Sequence, residues 1–205
     1  THQATVFSGK AVSGKGVVSR GSCLSYDFID LDYGFIDPDN ALLDDGNSYG
    51  ISFSRSLGST FYLTGGYSRA ESDYLFGNQY FDVDTDRFAL GLGAHFALAE
   101  CIDLTLEGGF DHIDSEYGGN GALDYDSWGY YIGPGIRARF DRIEVFAKAI
   151  YYDREGVVAP YGVDDEGWVF NPGLLYHLND TVALKVAADL SDSNEAITFG
   201  ARIHF

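Results

Sequence analysis

The chain closes on Ile197-Thr198-Phe199-Gly200-Ala201-Arg202-Ile203-His204-Phe205, and the parity of this stretch decides how the rest is read. Side chains of an extended strand point alternately to opposite sides. Ile197, Phe199, Ala201, Ile203 and Phe205 therefore share one face, and Thr198, Gly200, Arg202 and His204 share the other. One face is apolar and finishes on an aromatic. The opposite face carries an arginine and a histidine, which a soluble core buries only at a cost of several kcal/mol unless they are paired.

The same period of two runs back to Tyr26. Ile29, Leu31, Tyr33 and Phe35 oppose Asp30, Asp32 and Gly34; Phe88, Leu90, Leu92 and Phe96 oppose Arg87, Gly91, Gly93 and His95. Later segments repeat the design, with Leu104 and Leu106 against Asp103 and Glu107, and Ile136 and Ala138 against Arg137 and Arg139. Counting segments predicts ten strands; an eight-stranded arrangement, with one pair miscounted, is the alternative. Short links at 58–60, 99–101, 140–142 and 179–181 alternate with longer ones at 36–47, 70–86, 113–127 and 153–167, and a shorter one at 191–196. An up-and-down antiparallel sheet has this rhythm when its tight turns lie at one end and its loops at the other.

A soluble barrel turns its polar face to water and its apolar face inward. Here bulky aliphatics and aromatics occupy one face and small or charged residues the other, which fits a closed wall whose outside meets lipid. A soluble lipocalin-like or sandwich fold would leave a dozen charges in its core. The expected fold is all-β, a single up-and-down antiparallel transmembrane β-barrel. Its lumen would hold a charge network of Asp30, Asp32, Arg87, Asp103, Glu107, Arg137, Arg139, Glu144, Lys148, Lys185, Asp189 and Arg202. Aromatics gather at both strand ends. Phe35, Tyr49, Tyr67, Phe88, Phe110, Trp128, Tyr130, Tyr151 and Trp168 mark the loop end, and Phe61, Phe96, Phe140, Tyr176 and Phe205 the turn end, as two interfacial belts.

Composition narrows the partners. Asp and Glu number 31 against 13 Lys and Arg, for a net charge of −18, which argues against nucleic acid. No run of 18 apolar residues is present, so a helical span is not expected, whereas a membrane strand needs only about ten alternating residues. The sequence starts at Thr1 without Met or an apolar export segment, as a mature form after signal-peptide removal would. Residues 1–22 are rich in Gly, Ser, Lys and Val with weak periodicity and read as an irregular arm; 23–205 read as the barrel.

In these features the chain resembles the bacterial outer-membrane β-barrel proteins as a class, over Tyr26 to Phe205. The resemblance implies an outer-membrane location, periplasmic turns and external loops. It also implies contact with membrane lipids and lipopolysaccharide. Members end on an aromatic that the assembly machinery reads, here Phe205 with Ile203 and Phe199 behind it. The function it implies is that of a surface or structural protein that binds ligands or partners through its loops, or of a narrow, porin-like, cation-preferring channel. An outer-membrane enzyme fits less well: Asp111 and His112 invite comparison with outer-membrane proteases, but no second Asp–His pair accompanies them.

The loops are acidic, and Asp82, Asp84 and Asp86 form the densest run, a weak candidate site for Ca or Mg ions at the outer rim. It lacks the glycine and late glutamate of a helix-loop-helix calcium loop. Asp37, Asp39, Asp44, Asp45, Glu71, Asp73, Asp114, Glu116, Asp124, Asp126, Asp153, Glu155, Asp164, Asp165, Glu166, Asp192 and Glu195 extend the rim. His95, His177 and His204 share the inward parity and read as hydrogen-bonded lumen residues. Pro134 and Pro172 suggest bulges or bends in the wall. Cys23 and Cys101 both fall at the expected periplasmic end, where they form one disulfide or stay unpaired.

Overall fold

The computed structural model describes residues 23–38, 45–76, 79–118, 123–155, 166–191 and 194–205. The expected arm at 1–22 lies outside them. Ten antiparallel strands follow one another: β1 Phe28–Pro38, β2 Gly46–Leu57, β3 Phe61–Phe76, β4 Gln79–Ala99, β5 Ile102–Tyr117, β6 Leu123–Phe140, β7 Ile143–Glu155, β8 Glu166–His177, β9 Val182–Ser191 and β10 Asn194–His204. Each pairs with its sequence neighbours, and β1 pairs with β10 from Phe28↔His204 to Pro38↔Asn194, so the sheet closes on itself. Closure leaves no edge strand and satisfies the backbone within the wall, the condition for crossing lipid with strands.

The outer wall is apolar and exposed. Leu31, Ile51, Leu92, Leu106, Ile132, Leu174, Leu184 and Phe199 are all between 41% and 57% exposed. A continuous patch of this size is untenable in water and describes a lipid-facing surface. Aromatics bound it at both ends, Phe88 and Trp128 above, Phe96 and Phe140 below. These pairs are eight residues apart on β4 and twelve on β6. At ~3.3 Å per residue and a ~40° tilt they stand roughly 20 and 30 Å apart in height, bracketing the ~25 Å apolar band of such barrels. The protein is a membrane-spanning β-barrel.

Two expectations change. The segments 70–86 and 113–127 are mostly strand rather than loop: β3 runs to Phe76, β4 starts at Gln79 and spans 21 residues, β5 runs to Tyr117 and β6 starts at Leu123. Above the bilayer both faces of the sheet meet water, so apolar alternation stops while backbone pairing continues. The prolines do not make bulges. Pairing keeps its register from Ile132↔Tyr151 to Gly135↔Lys148 around Pro134, and from Phe170↔Leu190 to Gly173↔Ala187 around Pro172. Each proline removes a donor without inserting a residue, and the Asn171 side-chain amide donates to the Ala188 carbonyl opposite Pro172 at 3.0 Å. The register shift in the described wall falls elsewhere, at Ala97/Ala99 beside the β4–β5 turn.

Candidate functional site

The inward faces meet in a lumen filled by side chains. At the turn end, the mouth that the resemblance assigns to the periplasm, a chain of contacts crosses from β1 to β4. Lys185 Nζ donates to Asp32 at 2.8 Å and to Asp30 at 3.0 Å. Arg202 then grips Asp30 through Nε at 2.7 Å and Nη2 at 2.8 Å. Glu144 lies 3.9 Å from Arg202 and accepts from Arg137 Nε at 2.8 Å. The Arg137 guanidinium rests over the Tyr26 ring, 4.5 Å from its centroid. Tyr26 donates its hydroxyl to Asp103 at 3.0 Å, and His95 Nδ1 meets the same carboxylate at 3.1 Å. Asp30, Asp103, Arg137, Glu144 and Arg202 are all buried. Buried charges at this density persist only when each is paired.

Two further clusters lie above this floor. Lys148 donates to Glu107 at 2.8 Å, with the Tyr62 hydroxyl donating to the same carboxylate at 3.3 Å. Higher still, Asp111 Oδ2 accepts from Arg87 Nε at 3.0 Å and Arg154 Nη2 at 2.9 Å. Space for the lumen tyrosines comes from glycine: a Cβ at Gly93 would overlap the Tyr62 ring, and one at Gly91 the Tyr131 hydroxyl. A cavity of about 140 Å³ remains, lined by Tyr26, Asp30, Tyr62, Glu107, Arg137, Lys148, Lys185 and Arg202 among others. It has room for a handful of waters.

Of the lumen charges expected from parity, eleven stand in these contacts, Asp189 through Asn171 at 2.6 Å. Arg139 does not join them; it sits at the mouth, where its Nε donates to the Asp141 carbonyl at 2.9 Å. His177 Nε2 meets Glu144 at 3.3 Å, and its ring stacks on His204 at 5.5 Å. The same parity reaches three residues outside the expected network. Asp111 shares a face with Asp103 and Glu107, Arg154 with Glu144 and Lys148, and Tyr26 with Asp30. With them included, seven inward acids meet seven inward bases among the described residues: Asp30, Asp32, Asp103, Glu107, Asp111, Glu144 and Asp189 against Arg87, Arg137, Arg139, Lys148, Arg154, Lys185 and Arg202. The lumen is neutral, and the excess negative charge lies outside it.

Among the described residues most of that excess forms an outward collar above the upper belt. Belt tyrosines donate to it: Tyr67 to Asp86 at 2.5 Å, Tyr130 to Asp153 at 2.7 Å and Tyr151 to Glu166 at 2.8 Å. Asp82, Asp84 and Asp86 lie on this outer face, two residues apart along β4. Arg69 bonds Asp84 at 2.5 Å and Asp86 at 3.3 Å, while exposed Asp82 lies opposite Asp73. No group of three or more His, Cys, Asp or Glu among the described residues is placed to hold a metal ion. Asp39, Asp44, Asp164, Asp165 and Asp192 lie outside the described residues, and the side chain of Asp124 is likewise not described. Asp111 and His112 point to opposite sides of the wall: Asp111 enters the lumen, and His112 stacks on Trp128 at 4.3 Å in the outer belt. They are not a catalytic pair.

Cys23 and Cys101 are joined by a disulfide. The bond ties the segment before β1 to the β4–β5 turn. Leu24 and Tyr26 are carried into the lumen by that tie and are buried there.

No family model and no curated protein sequence matches the chain. Solved structures do. The NanC porin aligns with 86% of this chain and 100% of its own at a TM-score of 0.53 and 8% identity. Neisserial surface protein A aligns with 88% of this chain and 98% of its own at 0.51 and 12%. The outer membrane protein OprG from Pseudomonas aeruginosa aligns with 91% and 98% at 0.51 and 12%. At such identities the likeness is one of fold: the chain has the outer-membrane β-barrel fold, which a porin and a surface protein share.

Proposed function

We propose that the protein is a sealed, non-enzymatic surface barrel of the bacterial outer membrane, which anchors an acidic extracellular sheet and loops for contact with ligands or partners. The observation that carries this reading is the unbroken chain of contacts from Asp32 to His95 across the lumen floor. Opposite charges that bond one another across a narrow barrel fill the space a solute would use. The acidic collar supports the outward half of the reading. Its carboxylates attract cationic partners, and Ca or Mg ions between them and the phosphates of lipopolysaccharide would bind the collar to the lipid around it.

A narrow cation-preferring channel is the second reading, favoured by the cavity above the floor and by the field of the collar, which concentrates cations at the outer mouth. Potassium efflux from proteoliposomes separates the two. The sealed barrel leaves loaded vesicles as tight as protein-free ones. Efflux that rises with protein-to-lipid ratio rejects it in favour of the channel.

A further inference from the structure

We propose that the Cys23–Cys101 disulfide is a redox latch, holding the segment 23–27 across the turn-end mouth as a removable stopper. The proposal rests on the sealed-barrel reading and adds a way to unseal it. Cys101 lies in the β4–β5 turn, and β1 begins at Phe28 between β10 and β2, so the tied segment runs as a chord from one side of the rim toward the other. Five residues in extended form reach at most about 17 Å, the scale of a small barrel's interior.

The chord lies outside the strand ladder. Cys23 N–H donates to the Glu100 carbonyl at 3.3 Å at one end; at the other, Asp27 accepts the Ser56 N–H at 2.8 Å and the Phe205 N–H at 3.3 Å and lies 3.6 Å from Arg55. Between these ends Tyr26 is the stopper. Its ring stacks on Tyr62 at 4.8 Å and His95 at 4.2 Å, beneath the Arg137 guanidinium. Tyr26 is also the link joining Arg137 to Asp103 in the floor, and it lines the cavity above. Withdrawing it breaks the floor and joins that cavity to the compartment below; higher in the lumen Lys148 and Arg87, with side chains 31% and 42% exposed, already meet water. A short segment outside the strand ladder is the part of a barrel that opens first.

Cys23 is exposed and Cys101 half-buried, so the attack is assigned to Cys23. A dithiol reductant supplies the chemistry: one thiolate attacks Cys23 sulfur, the S–S bond breaks, and Cys101 leaves as a thiolate. The reductant's second thiol then displaces Cys23 from the mixed disulfide. Two electrons and two protons pass to the cysteines, and the reductant ends as a disulfide.

The test uses the full chain, oxidised and refolded, in planar bilayers before and after dithiothreitol, with maleimide labelling to count thiols and heat-modifiable gel migration to confirm the barrel. The latch predicts baseline current when oxidised, discrete current steps once two thiols are labelled, and a return to baseline on reoxidation with diamide. Cys101→Ser conducts without reductant; should it fail to fold, the wild-type arm decides alone. Silence after two thiols appear overturns the latch and leaves the sealed barrel standing, as does a bond that resists dithiothreitol. Conductance before reduction overturns the sealed reading and the latch with it.

Discussion

Glu144 is buried on β7 with Arg137, Arg202 and His177 around it. Replacing it with Gln leaves the buried Arg137 guanidinium without its carboxylate partner, while Arg202 keeps Asp30. The expected loss is about 3 kcal/mol of stability, against under ~1 kcal/mol for Arg69→Ala on the outer face, read as shifts in urea unfolding in lipid vesicles. Gly93 tests packing in the same lumen. Gly93→Val pushes a branched side chain into the Tyr62 ring and costs about 2 kcal/mol, and Tyr62→Leu in the same chain recovers most of it. At this scale parity carried most of the candidate site into view, because a period of two assigns every strand residue to one side of the wall. It did not reveal which charges meet. Partners such as Asp30 and Lys185 are set by barrel closure, which brings the first strand against the last. Asp111 and His112 illustrate the opposite error: neighbours in sequence are on opposite faces in a strand.

The elements extend beyond what their apolar residues announce. β4 continues nine residues above Phe88, roughly 20 Å of height at the usual rise and tilt, and β3, β5 and β6 accompany it. There the outward positions carry Arg69, Glu71, Asp73, Asp82, Asp84 and Asp86, while Thr85 and Ser115 bond each other at 3.1 Å inside. Strand count and turn positions were legible because lipid enforces the alternation; the projecting sheet was not, since water on both sides removes that constraint. An arginine scan along β4 locates the boundary. Leu92→Arg, within the apolar band, costs ~2–4 kcal/mol, whereas Asp84→Arg, above the belt, costs ~0–1 kcal/mol by the same unfolding measurement. The last strand is a separate case. Phe205 lies exposed at the lower belt, with the Arg55 guanidinium 5.3 Å from its ring centroid. If that aromatic is the assembly signal, Phe205→Ser lowers the folded, heat-modifiable fraction in the outer membrane while the purified chain still refolds in detergent. Equal yields in cells would remove that role from Phe205.

At the scale of the whole molecule, charge is sorted by compartment. Among the described residues the lumen is balanced, the mid-wall is apolar, and most of the negative excess stands at the collar. On the proposed reading such a barrel presents its surface outward and keeps its interior closed, the paired charges of the floor serving the second purpose. Single-channel recording of the oxidised protein in planar bilayers, under potassium chloride and applied voltage, tests that most directly. A sealed lumen gives no steady conductance steps at any polarity. Steady, cation-selective steps from the folded, disulfide-bonded barrel would contradict it.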